Sequence, residues 1–228
     1  MKYVKRLLFA LLSVFLVFTI ISSLALYQEV KNQEVKNQKV QEKALDELKQ
    51  QRESERQNRE YPVLGVNDEG EGVILMLKLK MVSGEGRILL DMKKTYLDES
   101  AQISTCKAVK VAQNITQTNL SDKNIIISFE VNESGKTQIE GGSGGAAICL
   151  ALVSLIQERA LNKSVLITGC VKNDHSISKV LEVKEKARCA RNNGCVLFLV
   201  PRGQKLNISD LNVKEVSRIE DAMKYILY

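Results

Sequence analysis

Apolar and polar positions along the chain change their period several times, and each change marks an element. Leu7 to Leu26 carries no charge over 20 residues, long enough at about 1.5 Å per residue to cross a hydrocarbon core of roughly 30 Å. Residues 29–60 turn polar, and Glu-Val-Lys-Asn-Gln occurs at 29–33 and again at 34–38. Val30, Val35 and Val40 recur every five residues, which winds around a helix instead of lining one face, so a solvated stalk fits better than a coiled coil. Tyr61-Pro62 marks the predicted start of a folded domain. Beyond it, Val73 to Val82 alternates Leu77, Leu79 and Met81 against Lys78 and Lys80, and Ser83-Gly84-Glu85-Gly86 turns it into Arg87 to Asp91. That pattern predicts a β-hairpin.

Tyr96 to Gln117 has helical spacing through Ile103, Cys106, Val109, Val111 and Ile115. Strands are predicted at Asn124 to Val131, Ser164 to Thr168, Cys195 to Val200 (stopped by Pro201) and near Lys214–Ser217. Helices are predicted at Ala146 to Ile156, at Glu182 to Asn192 before Gly194, and from Ile219. Interleaved strands and helices make residues 61–228 a mixed α/β (α+β) domain. The chain thus divides into a basic tail at 1–6, a span at 7–26, a stalk at 27–60 and the domain.

Composition narrows the chemistry. The 228 residues carry 33 Lys and Arg against 27 Asp and Glu. The excess is dispersed and Trp is absent, so nucleic-acid binding is not expected. His175 is the single histidine and lies in a polar turn, which removes His-rich metal sites and leaves little room for a Ser-His-Asp triad. Five cysteines show no zinc spacing; Cys149 sits inside an apolar run, and Cys189 and Cys195 could pair in an oxidising compartment. No metal or cofactor is expected. Glu130 to Thr137 ends like a phosphate-binding loop, but Glu130 replaces its first glycine, so it is read as a turn.

The chemistry-bearing stretch is Gln138 to Ala147, Gln-Ile-Glu-Gly-Gly-Ser-Gly-Gly-Ala-Ala. Ser143 lies among four glycines immediately before the apolar helix. Unpaired N–H groups and the positive end of the helix dipole gather there. The position suits a nucleophile with an oxyanion hole, a phosphate cradle, or a plain helix cap. A lysine freed of its proton by burial could activate such a serine, and Lys186 follows it at +43.

Four elements in one register resemble the proteolytic domain of the Lon family, the Ser-Lys peptidases. They are Glu140-Gly-Gly-Ser143-Gly-Gly-Ala-Ala, Ala151-Leu-Val-Ser154, Ile167-Thr168-Gly169 and Lys184-Glu185-Lys186; Gly84-Glu85-Gly86 resembles that domain's early hairpin. The resemblance, over about residues 65–205, implies a ribosomal-protein-S5-domain-2-like fold. It implies Ser143 as nucleophile, Lys186 as general base, Thr168 as the hydroxyl orienting the lysine, and Glu140 as the motif's acid. Backbone N–H groups of Gly142 and Ser143 would form the oxyanion hole. Protein or peptide substrates and a hexameric ring are also implied, while the family's usual ATPase gives way here to the span and stalk. Cys170 stands where the family has glutamate, and Lys179-Val-Leu-Glu-Val183 replaces its Pro-x-Gly-Gly. Gly141 to Ala147 also resembles the phosphate loop of GHMP-type small-molecule kinases, which leaves Lys186 and Thr168 unexplained. A non-catalytic module on the same fold is the other alternative.

The run at 7–26 exceeds a signal-peptide core, so an uncleaved single-pass anchor is expected. The short basic tail, with Lys2, Lys5 and Arg6, suggests an inside N-terminus and a domain outside the cytoplasm. Sequons at Asn114, Asn119, Asn132, Asn162 and Asn207 lean the same way.

Overall fold

The computed structural model describes residues 19, 22–24, 26–29, 31–33, 36–50, 57–92, 95–131 and 137–228. Two compact units emerge, Met1–Glu53 and Ser54–Tyr228. In the first, residues 36–50 form an exposed helix that carries Lys43–Glu47 and Lys49–Asp46 ion pairs at 3.9 and 3.5 Å. Most of the predicted span at 7–26 lies outside the described residues, as do residues 132–136 of the phosphate-loop look-alike. Among the described residues no helix is long and apolar enough to cross a membrane.

The second unit is a mixed α/β fold. Its main sheet runs β1 (Asn58–Val66), β2 (Gly72–Ser83), β5 (Lys123–Glu130), β3 (Ile88–Asp91). Leu75, Leu77 and Leu79 of β2 and Ile125, Ile127 and Phe129 of β5 point inward at a period of two, placing their charged neighbours outside. The expected hairpin does not form. β2 pairs antiparallel with β1 and β5, and β3 lies parallel to β5 on its far side. The turn signal is real, but β5 inserts between the two strands, and the Asn124 side chain accepts the loop's Glu85 and Arg87 N–H groups at 2.9 and 3.0 Å. β1 begins inside the expected stalk. Pro62 pairs with Met76 there and is tolerated because β1 is an edge strand.

A parallel sheet, β7 (Val165–Ile167), β10 (Leu197–Pro201) and β11 (Asn212–Val216), forms the second layer. The Tyr61 hydroxyl ties the layers together by donating to the Val165 carbonyl at 2.5 Å. Between them runs α2 (Gly145–Ile156), buried from Gly145 to Leu155. α2 is flanked by α1 (Glu99–Thr116) and α4 (Ile219–Ile226), while α3 (Val183–Asn192) packs on β1 and β2. Helix α1 starts three residues later than its apolar spacing predicts, because Thr95–Leu97 forms a short strand, β4, parallel to β6 (Thr137–Ile139). Its buried face is only partly the predicted one: Val109 and Val111 are buried and Ile115 packs on the core. Ala101, Ser104, Ala108 and Ala112 face inward, whereas Ile103 and Cys106 are exposed. Small side chains let α1 approach α2 closely, and that contact outweighs burial of the larger residues. A two-stranded hairpin, β8 (Cys170–Val171) and β9 (Ile177–Ser178), follows β7. The five cysteines are all unpaired, so no Cys189–Cys195 bridge exists.

Candidate active site

Ser143 sits in the turn that joins β6 to α2, and neighbouring elements hold this turn on three sides. From α1, the Ser104 hydroxyl donates to the Gly142 carbonyl at 2.9 Å. At the cap of α1, the Asp98 carboxylate accepts the Gly141 N–H at 3.2 and 3.3 Å while also accepting the Ala101 N–H. From the end of β7, Gly169 N–H and the Thr168 hydroxyl donate to the Ser143 carbonyl at 2.9 and 3.4 Å. Gly141 takes a left-handed φ of 76°, which a residue with a side chain resists. A Cβ on Gly145 would lie 2.4 Å from Ser104 Oγ, so only glycine lets α2 enter here. Burial would raise the Asp98 carboxyl, but hydrogen bonds from Ala101, Ser100 and Gly141 outweigh it and hold the group below its ordinary value.

Lys186 reaches the serine from α3. Val183, Lys186, Ala187 and Ala190 share the buried face of that helix, so the lysine is carried inward by helical spacing and not by a special loop. Close approach of α3 to β2 depends on Gly72, where a Cβ would lie 2.4 Å from the Glu185 carbonyl. Lys186 is 4% exposed. In its ammonium form Nζ donates to Ser143 Oγ and to the Leu181 carbonyl, both at 3.2 Å. Burial pushes this amine below the ordinary lysine range, against opposing pulls from Glu182 and Cys170. Once neutral, the nitrogen can accept the Ser143 proton across the same contact.

The remaining expected residues divide. Thr168 is buried, but its hydroxyl points to the Ser143 carbonyl and thus fixes the serine's backbone, where orientation of the lysine was expected. Glu140 is exposed at the rim of a recess lined by Val63, Leu64, Leu97, Phe129 and Ile139 beside Ser143. Among the described residues the N–H groups of Gly142 and Ser143 have no hydrogen-bond acceptor. Ser143 precedes the helix by two positions, so it is not the helix cap; Gly144 is. His175 is bound to Glu220 at 2.6 Å, away from the serine turn. Cys170 lies against the turn, 3.1 Å from where a Gly142 Cβ would be, and burial pushes its thiol up. Among the described residues no group of His, Cys, Asp or Glu could hold a metal ion.

Asp98 and Ser104 were not anticipated. Asp98-Glu99-Ser100 has the composition of a helix start and could have shown the cap. Nothing local shows that Ser104 meets a loop 38 residues away.

Comparison with known proteins gives the family. Residues 34–227 match the Lon protease (S16) C-terminal proteolytic domain. The chain is similar to Lon protease of Buchnera aphidicola (24% identical, 68% of this chain and 21% of that protein). It is also similar to the peroxisomal Lon protease homolog 2 of Eremothecium gossypii (29%, covering 65% and 16%) and to Lon protease 1 of Myxococcus xanthus (24%, covering 63% and 18%). It therefore spans about a fifth of the length of these relatives. With a match covering most of its length, the chain belongs to the family of Lon protease (S16) C-terminal proteolytic domains.

Proposed function

We propose that this protein is a serine endopeptidase in which Ser143 and Lys186 form the catalytic dyad. The observation that carries the reading is the 3.2 Å contact between a buried, base-shifted amine and a serine hydroxyl at a glycine turn. Neutral Lys186 takes the proton from Ser143 Oγ as that oxygen attacks a peptide carbonyl. The N–H groups of Gly142 and Ser143 receive the developing oxyanion. The proton passes from Nζ to the leaving nitrogen as the C–N bond breaks, and water then hydrolyses the acyl-enzyme. Thr168 and Gly169, through the Ser143 carbonyl, and Asp98 and Ser104, through Gly141 and Gly142, hold the turn so that Oγ needs little rearrangement. The acyl-side residue of the substrate is proposed to lie over the apolar recess beside Ser143, which at about 40 Å³ is too small to enclose a large side chain. Glu140 at its rim shapes that entry.

Cleavage is proposed to need no nucleotide, since Glu130 replaces the first glycine of the look-alike at 130–137 and the Gly141–Ala147 loop is taken up by the serine turn. A single-pass anchor at 7–26 with the peptidase domain outside the cytoplasm is proposed on the uncharged run and the sequons, with self-association into a ring as a further expectation. The test uses the full chain in detergent with an unfolded protein substrate and no nucleotide. Cleavage that disappears in Ser143→Ala and Lys186→Ala supports the dyad, and equal cleavage by wild type and Ser143→Ala refutes it. Nucleotide-dependent thermal stabilisation would instead favour the kinase-like alternative.

A further inference from the structure

We infer that Leu181 selects the residue on the leaving-group side of the scissile bond, favouring an apolar side chain there. This rests on the Ser-Lys reading. In that reaction Lys186 Nζ must come within hydrogen-bond reach of the leaving nitrogen to return the proton. The leaving residue's backbone therefore passes beside Nζ. The other partner of Nζ is the Leu181 carbonyl, so Leu181 O and Ser143 Oγ are each 3.2 Å from one atom. The Leu181 backbone is assigned to the leaving-group side because Leu181 is absent from the apolar recess of Val63, Leu97 and Phe129 that lies against the Gly141–Gly145 turn.

The Leu181 side chain is displayed there on a fixed backbone. It is 81% exposed, while the lysine whose amine donates to its carbonyl is 4% exposed. Gln204 pins the preceding residue at both ends, accepting the Val180 N–H at 2.9 Å and donating to the Val180 carbonyl at 2.7 Å. Glu182 follows in the left-handed region at φ 57°, and its carbonyl accepts the Lys186 N–H. Val183 is buried in the core. The segment thus holds its main chain still and turns one apolar side chain outward. Ordering was completed at folding, so contact with a leaving-side residue costs little further entropy. Covering both apolar surfaces on binding favours leucine over serine at that substrate position.

The test compares kcat/KM of the full-length protein on peptides that share one acyl-side sequence and carry Leu, Ser or Asp immediately after the scissile bond. Wild type should prefer Leu over Ser by about fivefold or more, a discrimination of the size small apolar contacts supply. Leu181→Ser should bring that ratio close to one, and Leu181→Met should restore it. A ratio unchanged in Leu181→Ser, or a uniform loss on all three peptides, would overturn the inference while leaving the dyad standing. Failure of wild type to cleave any of them, with Ser143→Ala indistinguishable, would overturn both.

Discussion

Gly145→Ala tests whether the serine turn is held as tightly as its contacts indicate. The new methyl would sit 2.4 Å from Ser104 Oγ, a separation that real Cβ atoms do not show. Ser104 is 7% exposed on α1 and already bonded to the Gly142 carbonyl. If its hydroxyl rotates away, that bond is lost at about 1 kcal/mol. If α2 backs off instead, overpacking costs about 1–3 kcal/mol. Alanine returns up to about 1 kcal/mol through helix propensity. The net expectation is a loss of about 1–2 kcal/mol, or about 2–8 °C in Tm for a unit of this size. Peptidase activity should fall more, since the displaced turn carries Ser143.

Ser104→Ala removes the obstructing oxygen. The next atoms that a Gly145 Cβ would meet, Val171 N and Cγ1, lie at ordinary distances of 3.4 and 3.5 Å. In the Ser104→Ala background, Gly145→Ala should therefore cost almost nothing. Denaturant unfolding of the four proteins should give a coupling of about 1–2 kcal/mol. Additive effects within about 0.5 kcal/mol would show that the two residues do not compete for the same space, and would refute the packing argument.

Three further outcomes are expected. Lys186→Met should abolish cleavage yet stabilise the fold by about 1–2 kcal/mol, because a buried amine is removed; a lower Tm would contradict that. Folding releases the Lys186 proton between its depressed value and the ordinary lysine range, so stability should rise with pH across that window in wild type and not in Lys186→Met. Tyr61→Phe should cost about 1–3 kcal/mol by chemical denaturation, because the buried Val165 carbonyl loses its tie to β1. At Glu220, burial would raise the carboxyl, but the His175 bond holds it below its ordinary value. Its contribution is present above the unfolded glutamate value and is lost as pH falls through the folded one, so Glu220→Gln should flatten the acid limb of a Tm–pH curve. The group is partly exposed, and the effect should be modest.

The residues differ in how much of this they announce. Alternation in β2 and β5 is legible because a half-buried strand repeats every two residues. The partner of a strand is not, and Ser83–Gly86 showed a turn without showing that β5 would enter between its arms. Pro62 suggested a boundary, yet an edge strand accommodates it. In α1, Val109, Val111 and Ile115 do face the core as their spacing predicts, but Ile103 and Cys106 do not, since the helix's first turns meet α2 through alanine and serine. The approach of Ser143 and Lys186 was readable from a shared register, supported by Val183, Ala187 and Ala190 on the lysine's own helix face. The backing of the turn by Ser104, and the turning of Thr168 towards the serine's carbonyl, arise from tertiary contacts that leave no local pattern.

Labelling of Ser143 by a serine-directed phosphonate, followed as a rate against pH, tests the dyad most directly. The account predicts labelling in wild type that climbs with pH below the ordinary lysine range, and none above the Ser143→Ala background in Lys186→Met. Equal labelling rates and the same pH profile in Lys186→Met would show that the serine does not depend on the lysine, contradicting the account.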